Sequence, residues 1–222
     1  MGRRIAQSTR IRLAPSARAH RPLYDLLHAF HGQGRLHLIM GNHDYAGPRL
    51  RPIAKEGMPT CVGVLLQHGE SGRELLATHG HQVDFERDPG LIVSRFGVRY
   101  FWRTLQQRGH WRNPNWVQMA QGRSWLGRLI ARSMLRRNRV VEARLQSWLL
   151  SADRPALLCG HTHVARCAAP GDPAYLNTGC CIVPGRITGI ELDQGSLSLF
   201  RWTGERGQER ELLAPPRRLA DL

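Results

Sequence analysis

The chain is poor in acid. Of its 222 residues only 17 are Asp or Glu, against 32 Lys or Arg, which leaves a formal net charge of +15. Lysine is nearly missing as well: Lys55 is the only one, so the other 31 basic residues (32 − 1) are arginines. A field of that sign disfavours cationic partners and attracts anionic ones, because guanidinium forks match phosphate oxygens. It does not choose among an anionic substrate, an anionic membrane surface and nucleic acid. No nucleic-acid recognition motif accompanies the arginines, which makes that partner the weakest of the three. No apolar run reaches the ~18 residues needed to cross a bilayer, and the basic N-terminus lacks the apolar core of a signal peptide. A cytoplasmic protein is expected, with peripheral contact at an anionic inner membrane face left open. Cysteine is scarce and odd in number, with Cys61, Cys159, Cys167, Cys180 and Cys181 lacking zinc-finger spacing. Reduced thiols are expected rather than a disulfide framework. The Cys180-Cys181 pair fits a buried strand end better than a soft metal ligand.

The remaining composition is that of a globular domain with enough length for a real core. Residues 1–21 form a basic arm with little periodicity, expected to be disordered. Leu23, Leu26, Leu27 and Phe30 recur at helical spacing from Pro22, and Gly32 and Gly34 end that helix. A buried strand over 35–40 comes next, then a short helix around 48–56. Strands at about 60–66 and 73–78 are joined through Gly69 and Gly72 as a hairpin. Residues 85–150 hold Trp102, Trp111, Trp116 and Trp125, many arginines, and apolar patches Leu126-Leu129-Ile130 and Val141-Leu145-Trp148. They read as a helical insertion, either packed on the sheet or capping a substrate. Strands resume at 156–159, 175–177 and 186–192, and Asp193-Gln194-Gly195-Ser196 turns into a closing strand 197–202. The polar tail from Gly204 is expected to fray.

Three polar clusters end three of these apolar runs. Gly41-Asn42-His43-Asp44 lies after the strand 35–40, Thr78-His79-Gly80-His81 after the second hairpin strand, and Gly160-His161-Thr162-His163 after 156–159. In an extended segment residues i and i+2 face the same way, which aims His161 and His163 at one centre. Their separation of roughly 6–7 Å suits two ions better than one. Asn42 offers an amide oxygen and His79 an imidazole nitrogen. Imidazole with oxygen donors suits Zn, Mn, Fe or Ni rather than Mg or Ca. His43 alternates away from Asn42 toward a substrate, where an imidazole of ordinary basicity can protonate a leaving oxygen. Asp44 is placed to fix the His43 tautomer. His81 and Asp84 are read as orienting or structural groups rather than ligands.

In this order, the motifs Gly41-Asn42-His43-Asp44, His79-Gly80-His81 and Gly160-His161-Thr162-His163 resemble the calcineurin-like metallophosphoesterase superfamily over roughly residues 22–202. The run His79-Gly80-His81-Gln82-Val83-Asp84, with its helical insertion, is most similar to the bacterial branch near UDP-2,3-diacylglucosamine hydrolases. The resemblance implies an α/β (α+β) fold, a β-sandwich flanked by helices. It also implies two divalent ions (Mn, Zn or Fe) that activate a hydroxide against a phosphomonoester, phosphodiester or pyrophosphate, the substrate being anionic and possibly lipid-linked. Asn42, His79 and His161 would hold one ion and His163 the other, while His43 acts on the substrate.

The departure from that pattern is as informative. The family's Asp-x-His strand and Gly-Asp-x-x-Asp turn, which supply the other ion's ligands and the bridging carboxylate, are not found. Before Asn42 the only acidic residue is Asp25. The chain therefore reads as a member lacking its first β-α-β portion, with one ion or none, or else as a degenerate, catalytically inactive homologue that binds metal or phosphate.

Overall fold

The computed structural model describes residues 20–42, 44–46, 51–52, 54–55, 57–69, 71–83, 125–152, 156–181, 187–203 and 209–222. Nearly all of the basic arm, residues 1–19, lies outside them. The chain divides into two compact units, one of Met1–Leu38 with Tyr45–Cys61 and the other of Ile39–Asp44 with Val62–Leu222.

In the first unit, helix α1 spans Arg21–Gly32, with Pro22 in its first turn where a missing N–H costs nothing. The spacing of its leucines predicts this helix, yet none of its residues is buried. Strand β1 (Leu38–Ile39) begins in this unit, and the Cys61 thiol donates to the Leu38 carbonyl at 3.5 Å. Of the helix expected at 48–56, the described residues 51–52 and 54–55 form no part. Arg51–Pro52 is strand β3, paired antiparallel with β2 (Tyr45–Ala46), and Lys55 bridges Met58 around a turn. Pro52 has no N–H to donate, and proline is disfavoured inside a helix, so an edge ladder is the compatible outcome. Strand β4 (Thr60–Cys61) completes the unit.

The second unit is a layered mixed α/β structure. Its first sheet runs β5 (Gly63–Gln67), β6 (Glu74–Thr78), β7 (Leu157–Cys159), β8 (Tyr175–Asn177), with β5 antiparallel to β6 and the others parallel. Its second sheet joins β9 (Ile187–Asp193), β10 (Ser196–Thr203), β11 (Glu209–Leu212) and β12 (Arg217–Arg218), all antiparallel to the central β10. The β9–β10 turn has Gln194 at φ 45° and Gly195 at φ 75°, the paired positive values that a two-residue hairpin requires.

Alternation along the short central strands sorts their side chains onto two faces. Leu75, Leu176 and Ala174 share one core with Leu197 and Leu219, so the two sheets are packed face to face. Leu157, Cys159 and Tyr175 point the other way, into a second core with helix α2 (Trp125–Ser151). The β-sandwich with a helix on its outer face is thus the architecture expected of the sequence.

Two expectations fail here. The tail does not fray: residues 209–212 and 217–218 add two strands to β10, and Leu219, 2% exposed, plugs the inter-sheet core. Its polar composition reflects edge strands whose side chains face water, which composition alone cannot separate from a coil. The buried stripe of α2 keeps Val141 and Leu145 of the expected patch but takes Leu149 in place of Trp148. Val141, Leu145 and Leu149 are buried, while Trp148 is 40% and Leu129 58% exposed. The spacing 141-145-149 traces the i, i+4, i+8 ridge of a straight helix, and Trp148 lies off it. Leu126 and Ile130 have no described side chains, and Trp102, Trp111 and Trp116 lie outside the described residues.

Leu149→Ala is expected to lower the unfolding free energy by about 2–5 kcal/mol. Trp148→Ala should cost no more than about 1–2 kcal/mol, since its ring is part exposed. Denaturant unfolding followed by circular dichroism measures both, and the reverse ranking would restore the stripe read from sequence.

Candidate functional site

Strands β6 and β7 are parallel neighbours, with Leu76 opposite Leu157 and Ala77 opposite Leu158. Their ends therefore deliver His79 and His161 side by side. The Gly160 amide donates to the His79 carbonyl at 3.2 Å, and the two imidazoles meet edge-on with ring centroids 5.0 Å apart. His81 opens a short 3-10 turn (His81–Val83) just beyond β6 and is 2% exposed. Its ring centroid is 5.0 Å from that of His79 and 6.3 Å from that of His161.

The Nδ1 atoms of His79 and His81 are 3.1 Å apart. A bond between two ring nitrogens needs one to carry a proton and the other a lone pair, so the two Nδ1 atoms take opposite roles. That contact orients His79 and leaves its Nε2 facing the Gly41 turn. A Cβ at Gly41 would stand 2.7 Å from this nitrogen, and glycine is what permits the approach. The turn is closed by Asp44, whose Oδ2 accepts from the Gly41 amide at 2.8 Å while its own amide donates to the Gly41 carbonyl at 3.0 Å. The sequence points Asp44 at His43, and a bond of its carboxylate to the Gly41 backbone is seen. His43 and Asp84 lie outside the described residues. Asn42 sits half-buried in the same turn.

Electrostatics keep His79 neutral. Burial pulls His79 down to about 3, His161 and His81 push the same way because a second imidazolium would be repelled, and the Asp44 carboxylate opposes them. A neutral imidazole is the form with a free lone pair.

The loop bearing His161 and His163 is not extended. His161 has φ 63° and His163 φ 58°, both in the left-handed region that costs a non-glycine residue about 1–3 kcal/mol. The i, i+2 geometry inferred for an extended segment therefore does not apply: His161 is half-buried beside His79, whereas His163 is exposed.

A buried polar network holds the bend. Asn177, with no exposed surface, donates from Nδ2 to the Gly160 carbonyl at 2.6 Å, the Tyr175 hydroxyl at 2.9 Å and the Thr162 hydroxyl at 3.2 Å. Its Oδ1 accepts from the Gly179 amide at 2.9 Å. From α2, Asn138 donates to the Thr162 carbonyl at 2.7 Å, and Glu142 accepts from the Thr162 hydroxyl at 3.5 Å and pairs with Arg166 at 3.4 Å. Sequence reasoning missed Asn138, Glu142, Tyr175 and Asn177. The available signal was Asn177 itself, a polar residue closing an otherwise apolar strand. Cys180 and Cys181, expected at a buried strand end, are half-buried and exposed respectively.

The fit to metal divides. Imidazole and amide donors at His79, His161 and Asn42 are of the right type for one borderline divalent ion. These three donors include no carboxylate to bridge a second ion, and the carboxylates near the cluster among the described residues already accept hydrogen bonds. Among the described residues no group of three His, Cys, Asp or Glu side chains is arranged to hold an ion.

Asn177→Ala should leave several buried groups unsatisfied and lower stability by about 2–3 kcal/mol, measured by denaturant unfolding. A change within error would show that water replaces the amide. For pH, the sign comes from His79 titrating near 6.5 unfolded and about 3 folded. Between those values the unfolded chain binds the extra proton, so stability is complete above 6.5 and is lost as pH falls toward 3. His79→Gln should flatten that slope in unfolding free energy against pH, and an unchanged slope would place the titration elsewhere.

Neither a family model nor a curated protein matches the sequence. Among solved structures the chain is similar to Vacuolar Protein Sorting 29 from Cryptosporidium parvum, at 15% identity and a TM-score of 0.42, covering 89% of this chain and 76% of that one. It is also similar to Vps29 from Entamoeba histolytica complexed with zinc, at 13% identity and a TM-score of 0.34, covering 83% and 69%.

Proposed function

We propose that the chain is a calcineurin-like metallophosphoesterase-type protein, built to engage a phosphomonoester, phosphodiester or pyrophosphate with the help of a divalent ion. The observation that supports this reading is the meeting of His79, His81 and His161 at the ends of two adjacent parallel strands, with the Gly41 turn closed against His79. His79 through Nε2, His161 and Asn42 would hold one ion of the Zn, Mn or Fe kind. When bound, such an ion polarises a phosphoryl oxygen.

The chain's own residues do the rest. Burial holds His79 neutral and ready as a donor, His81 fixes the tautomer and rotation of that ring, and Asn177 with Thr162 holds His161 in place. His163, at the exposed rim, and His43 are the residues proposed to meet the phosphate ester, His43 donating the proton to the leaving oxygen. The finer assignment, to enzymes acting on lipid-linked nucleotide sugars, rests only on the His79–Asp84 run and the long helix beyond it.

A second reading is favoured by one observation. The carboxylates nearest the cluster among the described residues are engaged, Asp44 by the Gly41 amide and Glu142 by Arg166 and Thr162. With both carboxylates serving the fold in this way, the site would bind metal or phosphate without turning a substrate over.

Equilibration with zinc or manganese, then gel filtration, should leave about one equivalent on the chain, as one imidazole-rich half-site predicts. His161→Gly removes the imidazole while easing the left-handed backbone, and it should abolish retention. Retention unchanged in that variant would overturn the ligand assignment. Hydrolysis of a generic phosphodiester should be slow; rapid turnover lost in His163→Gly would favour a complete two-ion enzyme.

A further inference from the structure

Helix α2 presents a second face that the sheet does not use. Residues 125, 129, 132, 136, 140, 143, 147 and 150 keep to the helical repeat and are exposed at every turn. At 27 residues the helix is about 40 Å long, so the stripe extends across a large span. Its apolar members stand well out of the fold: Trp125 is 70%, Leu129 58%, Val140 46% and Leu150 67% exposed. Between and beside these stand the exposed arginines Arg132, Arg136 and Arg139. The only acidic residue on the helix is Glu142, which faces the other way, 7% exposed and paired with Arg166. Trp148 and Arg144 flank the stripe along a groove of about 1010 Å³ whose far wall is the hairpin β5–β6, where Val62 is 57% and Leu65 49% exposed.

We propose that this face of α2 docks on an anionic lipid bilayer, lying in the interface with Trp125, Leu129, Val140 and Leu150 inserted at acyl-chain level and the arginines on lipid phosphates. Charge complementarity selects the occupant. A face carrying three arginines and no acid repels a second copy of a +15 chain and attracts a negative surface. The exposed aliphatic side chains Leu129, Val140 and Leu150 between the arginines favour a bilayer over a nucleic acid, whose phosphates and base faces would leave them in water. The helix is too polar to span a membrane, and none in the described residues is apolar enough to do so. Contact in the plane of the interface is the geometry its two faces permit. The inference is independent of the phosphoesterase reading, since no residue of the histidine cluster takes part.

The test is cosedimentation of the full chain with vesicles of phosphatidylcholine alone or mixed with phosphatidylglycerol. Binding is expected on the mixed vesicles, about tenfold or more above the neutral ones, and is expected to weaken with salt. Leu129→Ser with Leu150→Ser should weaken it without changing charge. Arg132→Gln, Arg136→Gln and Arg139→Gln together should weaken it about tenfold, while Arg21→Gln, Arg73→Gln and Arg218→Gln, an equal loss of charge elsewhere, should weaken it far less. Equal loss in both arginine sets would mean that the overall charge, not this face, is responsible, and would overturn the proposal. So would indifference to the leucine changes, or an arginine-dependent shift of single-stranded RNA in a gel with vesicle binding absent. Far-ultraviolet circular dichroism of each variant confirms that the helix is retained.

Discussion

The carboxamide of Asn177 carries more of this structure than any other polar group described. Its two N–H groups face three oxygens, those of Gly160, Tyr175 and Thr162, and its own oxygen takes the Gly179 amide. Placed in a site with no exposed surface, an amide that lost these partners would keep only the cost of its burial. The bonds are therefore all or nothing, and they tie the end of β8 to the bend after β7. Tyr175, whose hydroxyl is kept protonated by burial, stays available as a partner throughout the neutral range. The left-handed backbone at His161 and His163 is held by this network and by Asn138 of α2, so two layers of the fold together fix one loop.

That dependence explains what sequence could and could not reveal. The central strands were legible because each is a short apolar run ended by a polar cluster, and Tyr175–Asn177 forms a strand as its composition predicts. The hairpin at Gln194-Gly195 was legible from turn chemistry, which is local. The approach of His79 to His161 was legible as soon as their strands were taken as neighbours. The conformation of His161 and His163 was not, because an extended segment is only the default for a polar stretch after a strand. What overrides it is a hydrogen bond from Asn177, distant in sequence. The identity of the buried ridge on α2 fails for a related reason: Trp148 and Leu149 are equally apolar in composition, and only the direction of the sheet decides between them. The tail is the opposite case, since edge strands of a sandwich read as coil until the central strand β10 is in place.

The same constraint limits the chemistry. Acid is scarce in this chain, and where the described residues place it near the histidines it is already bonded. Asp44 closes the Gly41 turn and Glu142 anchors α2 to Thr162 and Arg166. Freeing either for metal would open the turn that shapes the approach to His79 or the clamp that supports His161. Two divalent ions ~4 Å apart repel by on the order of 15 kcal/mol at an effective dielectric near 20. Imidazoles and an amide, being neutral, leave that repulsion standing, and a surrounding charge of +15 adds to it. One ion escapes the penalty altogether. At a single-ion site, a phosphate ester drawn in would supply the negative charge that the described residues near the cluster do not.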